Sequence, residues 1–175
     1  MTDRQKRIAA GERAHAGDWR PHEIVAHANA ELAELLCHLA EGHTRGVACG
    51  CASVLVSLYW LCDTCGGDLE AAWKRASRLR AGVVTAVEAA REDGLRIHYS
   101  GADLLATMAP LMRAALCRAE LFDNEAQGHQ ALAWHAGEMA AAIGVLALRN
   151  EFLLMDEIEK EIAARTEARN ARRCH

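Results

Sequence analysis

Within the stretch His27-Ala-Asn-Ala-Glu31-Leu-Ala-Glu34, the side chains of His27, Glu31 and Glu34 stand four and three residues apart, so a helix would align them along one stripe. Two carboxylates on one stripe are half of a magnesium site, because that ion takes oxygen ligands and needs more of them from neighbouring helices. A magnesium ion held this way neutralises phosphate charge and activates water. A rival set is Cys37, His43, Cys49 and Cys51, which gather at one hairpin and have the ligand types of tetrahedral zinc. Cys62 and Cys65 form a further thiol pair, but helix rise puts Cys62 about 16 Å from Cys51, too far for one metal. His129 and His135 with Glu125 and Glu138 have the types of a di-iron bundle site in a different order. No nucleophilic triad and no Gly-rich phosphate loop stands in the chain.

Helices must position these groups. Pro21 to Glu41 reads as one, with Asp18 as a candidate cap and Ile24, Leu32, Leu35, Leu36 and Leu39 on its core face. Gly42 to Gly46 ends it. Val47 to Thr64 is apolar almost all round, so it must be covered on most sides, as the centre of a bundle or at an oligomer interface. Gly66-Gly67 stops that helix, and Asp68 caps a third running to about Asp93, with Lys74, Arg75, Arg78 and Arg80 along it. Leu95 to Ser100 reads as a connector, and helices follow over 101–122, 125–149 and 152–172. Met1 to Gly17 reads as a short charged helix. The second half echoes the first: Leu36-Cys37 meets Leu116-Cys117 at an offset of 80 (116 − 36), and Asp68 meets Asp156 at 88 (156 − 68). The expected architecture is an all-α helical bundle in a single domain, with pseudo-repeats over about 21–93 and 101–172 related by a pseudo-twofold axis.

The composition agrees. Apolar residues make up 51% and charged residues 25% of 175, with two prolines, which excludes disorder. Only 5% are aromatic, which favours closely packed helices over sheet. A net charge of -4 gives no general attraction to nucleic acid or an anionic membrane. The basic clusters near both ends, interleaved with acids and Ala, read as solvated helical tails. There is no leader pattern and no unbroken run of 18 apolar residues, and the seven cysteines suit reduced thiols, so a cytoplasmic protein is expected.

Glu31-Leu-Ala-Glu34, the run Leu58-Tyr-Trp-Leu61 and the turn Gly67-Asp-Leu-Glu70 together resemble the MazG-like all-α nucleoside triphosphate pyrophosphohydrolases over about 60 residues. The resemblance implies two carboxylate motifs on adjacent helices, a third helix whose basic residues meet phosphate, and magnesium-dependent hydrolysis of a nucleoside triphosphate to monophosphate and pyrophosphate. In that register His27 and Ala28 stand where the first motif has paired acids, and Gly50 and Ser53 where the second has Glu and Asp. At the offset of 88 Gly50 corresponds to Glu138 (138 − 88), so a composite site would hold metal on Glu31, Glu34 and Glu138. Lys74, Arg78 and His27 would then meet the substrate. The alternatives are an inactive helical module that dimerises or binds a protein through its apolar helices, and a zinc- or redox-linked protein. Trp60 is expected in the core and Glu70 is expected to pair with Lys74.

Overall fold

A computed structural model describes residues 2–77, 93–116 and 124–173, and among them every regular element is a helix. We number them α1 (Asp3–Ala16), α2 (Pro21–Glu41), α3 (Thr44–Thr64), α4 (69–77 in its described part), α5 (Asp93–Leu116), α6 (Glu125–Arg149) and α7 (Leu154–Arg173).

Local chemistry sets the helix ends. Thr2 accepts a hydrogen bond from the Gln5 amide to open α1. Pro21 occupies the first turn of α2, where its missing N–H costs nothing. The cap there is made by Glu23, which accepts the Arg20 amide at 2.7 Å, in place of the expected Asp18. Gly42 closes α2 in the left-handed conformation that a side chain would strain. Asp68 accepts the Ala71 amide at 3.0 Å and starts α4, and Asn124 accepts the Gln127 amide at 2.9 Å and starts α6. The connector expected over Leu95 to Ser100 is helical instead, because α5 already starts at Asp93. A single glycine such as Gly94 weakens a helix by only about 1 kcal/mol, which packing overrides.

At the centre lies α3. From Gly50 to Cys62 each of its residues is buried, with Tyr59, Trp60 and Leu58 sealed from solvent, and α1, α2, α6 and α7 pack around it. Both α3 and α6 are long and apolar enough to cross a membrane, yet 89% and 56% of their apolar windows are buried within the protein itself. The bundle interior is what that apolarity serves. Helix α2 packs on both α3 and α5, and α5 packs on α6.

The start of α4 lies directly on α6. A Cβ at Gly137 would sit 2.6 Å from the Ala72 carbonyl carbon, and one at Gly67 would sit 2.6 Å from the Ala133 Cβ. The N-terminal helix is keyed to the same corner by Gln5, fully buried, which donates to the Gly67 carbonyl at 2.7 Å and accepts the Leu69 amide at 3.0 Å. Both ends of one buried amide are thereby satisfied. Because the obstacle at Gly137 is backbone, Gly137→Ala should lower the unfolding free energy by about 1–3 kcal/mol despite its gain in helix propensity. Urea unfolding of the purified variant checks this, and an unchanged or raised midpoint would contradict the close approach.

Candidate functional site

A cavity of about 510 Å³ opens between α1, α2, α3 and α7. Helix α1 lends Glu12 and Ala16, the loop before α2 lends Trp19, and α2 lends His27 and Glu31 one turn apart. Ser53 and Trp60 of α3 form its floor, and α7 closes it with Glu161, Arg165 and Ala168. Trp19 lies against Trp60 with ring centres 5.2 Å apart and planes tilted by 32°, and the His27 ring meets Trp19 edge-on at 5.7 Å. Trp60 is therefore both the core residue expected and one wall of this cavity.

Arg165 organises the charge. Its Nε donates to Glu161 Oε1 at 2.6 Å, Nη1 to Glu12 Oε2 at 3.2 Å and Nη2 to Glu31 Oε1 at 3.2 Å. The side chains of Glu12, Arg165, Glu31 and Glu161 are only 8%, 17%, 18% and 20% exposed. Burial disfavours the guanidinium charge, but hydrogen bonding to Glu161 and the fields of Glu12, Glu161 and Glu31 outweigh it, so Arg165 is held above its ordinary value. Three carboxylates against one guanidinium leave two formal negative charges on the lining, with His27 Nε2 3.4 Å from Glu31. Like charges gathered around one guanidinium repel one another, so the cluster depends on the cation among them.

Of the residues the sequence picks out, His27 and Glu31 line this cavity together, and Ser53 joins them. Glu34 is exposed and is not among the lining residues. Glu138 lies on α6, where its Oε2 is 2.8 Å from His135 Nδ1. Lys74 is exposed on α4, and its expected partner Glu70 instead accepts from Arg4 at 3.1 Å, from Thr2 and from the Tyr59 hydroxyl. Arg78 lies outside the described residues. Glu12, Glu161 and Arg165, which complete the site, stand in stretches that read as charged tails.

A magnesium ion does not fit these groups. Glu31 already faces a guanidinium, and among the described residues no three His, Cys, Asp or Glu side chains are grouped to hold a metal ion. Gly50, where the resemblance calls for an acid, packs its Cα against Leu35 so closely that a Cβ would sit 3.0 Å from the Leu35 side chain. The zinc set does not form either: Cys37 and Cys49 are exposed while Cys51 is sealed in the core. On α6, His129 Nε2 is 3.7 Å from Glu125 and His135 Nδ1 is 2.8 Å from Glu138, as two separate contacts.

Two outcomes follow from this geometry. Arg165→Met should cost about 3 kcal/mol of unfolding free energy, since it leaves buried carboxylates uncompensated, whereas Arg7→Ala, which removes the exposed Arg7–Glu159 pair, should cost about 0.5 kcal/mol or less. Equal effects in urea titrations would contradict the central place of Arg165. Burial pushes the Cys51 thiol up to about 12 and the Cys62 thiol higher still, so a maleimide at pH 8 should label Cys37 and Cys49 and reach Cys51 and Cys62 only after unfolding. Peptide mass spectrometry reads the order, and early labelling of Cys51 would overturn it. Comparison with family models, curated proteins and solved structures finds no match for this chain.

Proposed function

We propose that the chain is a nucleotide-binding protein with two three-helix units in a fused, MazG-like pair, and that the nucleoside part of its ligand enters the Trp19 cavity. The observation that carries this reading is the content of that cavity. It gathers His27, Glu31 and Ser53, positions that the resemblance marks as the site, beside a pair of tryptophans. Its volume falls in the range of about 300–1,000 Å³ usual for small-molecule sites. A flat base has rings to lie against, and its amino edge has carboxylates to donate to.

Packing supports the pairing of units. First helices meet each other (α2 on α5), as do second helices (α3 on α6), and each third helix lies on the other unit's second helix: α7 on α3, α4 on α6. The offset of 88 that takes Asp68 to Asp156 also takes Ser53 and Trp60 to Ala141 and Leu148, and it takes Trp73 and Ser77 to Glu161 and Arg165. Ala141, Leu148, Trp73 and Ser77 line a second cavity, of about 640 Å³, which is apolar where the first is charged. One unit-to-unit site kept its polar lining and its counterpart lost it.

Because two negative charges remain on the lining, phosphates are repelled from the interior and the reading is binding without metal-driven hydrolysis. Tryptophan fluorescence and thermal melts with nucleosides, monophosphates and triphosphates, all in EDTA, test it. We expect quenching and a rise in melting temperature of several degrees near a hundredfold excess over Kd, equivalent to about 2.7 kcal/mol. Affinity should be no better for triphosphates than for nucleosides at low salt, and Trp19→Ala should weaken it at least tenfold. Leu148 and Leu153, 79% and 73% exposed beside the apolar cavity, favour a second reading, a module that binds a protein partner. Silence toward every nucleotide would leave only that second reading.

A further inference from the structure

We infer that Arg165 supplies, from within the chain, the positive charge that a divalent cation supplies in the family the chain resembles, so that the cavity takes its ligand without metal. The reasoning starts from what each carboxylate faces. Glu12 on α1, Glu31 on α2 and Glu161 on α7 each place an oxygen within 3.2 Å of a different nitrogen of one guanidinium. A divalent ion would need those same oxygens, and several more, at about 2.1 Å. It can reach them only where the guanidinium leaves.

Two changes on α3 act in the same direction. Ser53 offers a hydroxyl where the resemblance calls for a carboxylate, and Gly50 offers no side chain at all. A Cβ at position 50 would sit 3.0 Å from the Leu35 Cβ and 3.1 Å from its Cα, so an acid there would press against α2. Fewer anions on one wall and a fixed cation on the other both lower affinity for a metal. The fixed cation is also a poor leaving group, since its side chain is 17% exposed and is gripped at three nitrogens. The ligands compatible with such a lining are ring systems bearing amino groups, neutral or cationic, and not metal-complexed triphosphates.

The inference shares its cavity with the proposed function, but its test uses no nucleotide, so either can fail alone. Free Mn²⁺ is followed by electron paramagnetic resonance during titration of the full chain, its Arg165→Met and Arg165→Lys variants, and its Glu31→Gln variant. The unchanged protein and Arg165→Lys should leave the ion free. Arg165→Met should take up one ion at least tenfold more tightly, with a melting temperature that rises on adding Mn²⁺. If Arg165→Met is unfolded alone, Mn²⁺ should restore its helical circular dichroism. Uptake by the unchanged protein that Glu31→Gln abolishes would overturn the inference. So would uptake by Arg165→Lys equal to that of Arg165→Met, a folded Arg165→Met that takes up no ion, or an unfolded one that the ion does not rescue.

Discussion

A guanidinium held away from water among three carboxylates is the interaction on which the rest of this molecule depends. Arg165 joins α7 to α1 and α2 across sequence separations of 153 and 134 residues, so it specifies how the two ends of the chain close on the first helix pair. Such a buried cluster adds little net stability compared with apolar packing of the same volume, because desolvation offsets most of the attraction. Its effect is selective instead. Arrangements of α1 and α7 that separate the cation from its acids would strand buried charge, and those arrangements are disfavoured by several kcal/mol. The same cluster gives the cavity its net negative character and is the ground for the metal-free binding we infer.

The cluster works only because α3 provides a rigid floor. A helix whose middle is buried on every side has to be wrapped, and the wrapping is done by four other helices. Trp60 illustrates the link between core and site: its body is sealed among apolar neighbours, and the face turned to Trp19 becomes a wall of the cavity. At the opposite corner Gln5 ties α1 to the turn between α3 and α4, which fixes the element that carries Glu12. Surface pairs such as Arg7 with Glu159 then reinforce a placement already determined inside.

How much of this could be read from residue order follows the range of the interactions. The bounds of α2 were legible, because Pro21 and Gly42 act on the backbone within one turn. The covered position of α3 was legible too, since an apolar surface all round must be buried, at the centre of a bundle or at an interface. His27 and Glu31 were visible as a stripe because helical periodicity is local. Glu12, Glu161 and Arg165 were not visible as a site. In α1 and α7 charged residues recur without pattern, which is what a solvated tail looks like until a second segment from the far end of the chain is laid beside it. Glu138 does not line this cavity: an offset between repeats predicts equivalence of position, whereas a shared cavity requires facing elements, and the element facing α2 across this one is α7.

Coupling between Arg165 and Glu12 is the most direct measure of the account. A double-mutant cycle with Arg165→Met, Glu12→Gln and the pair, read from urea unfolding at neutral pH and moderate salt, should give a coupling of about 1.5 kcal/mol or more, since both side chains are mostly buried and hydrogen-bonded. Additive effects within about 0.3 kcal/mol would mean that the guanidinium and this carboxylate do not sense each other, contradicting the charge cluster from which the cavity and its metal independence are derived.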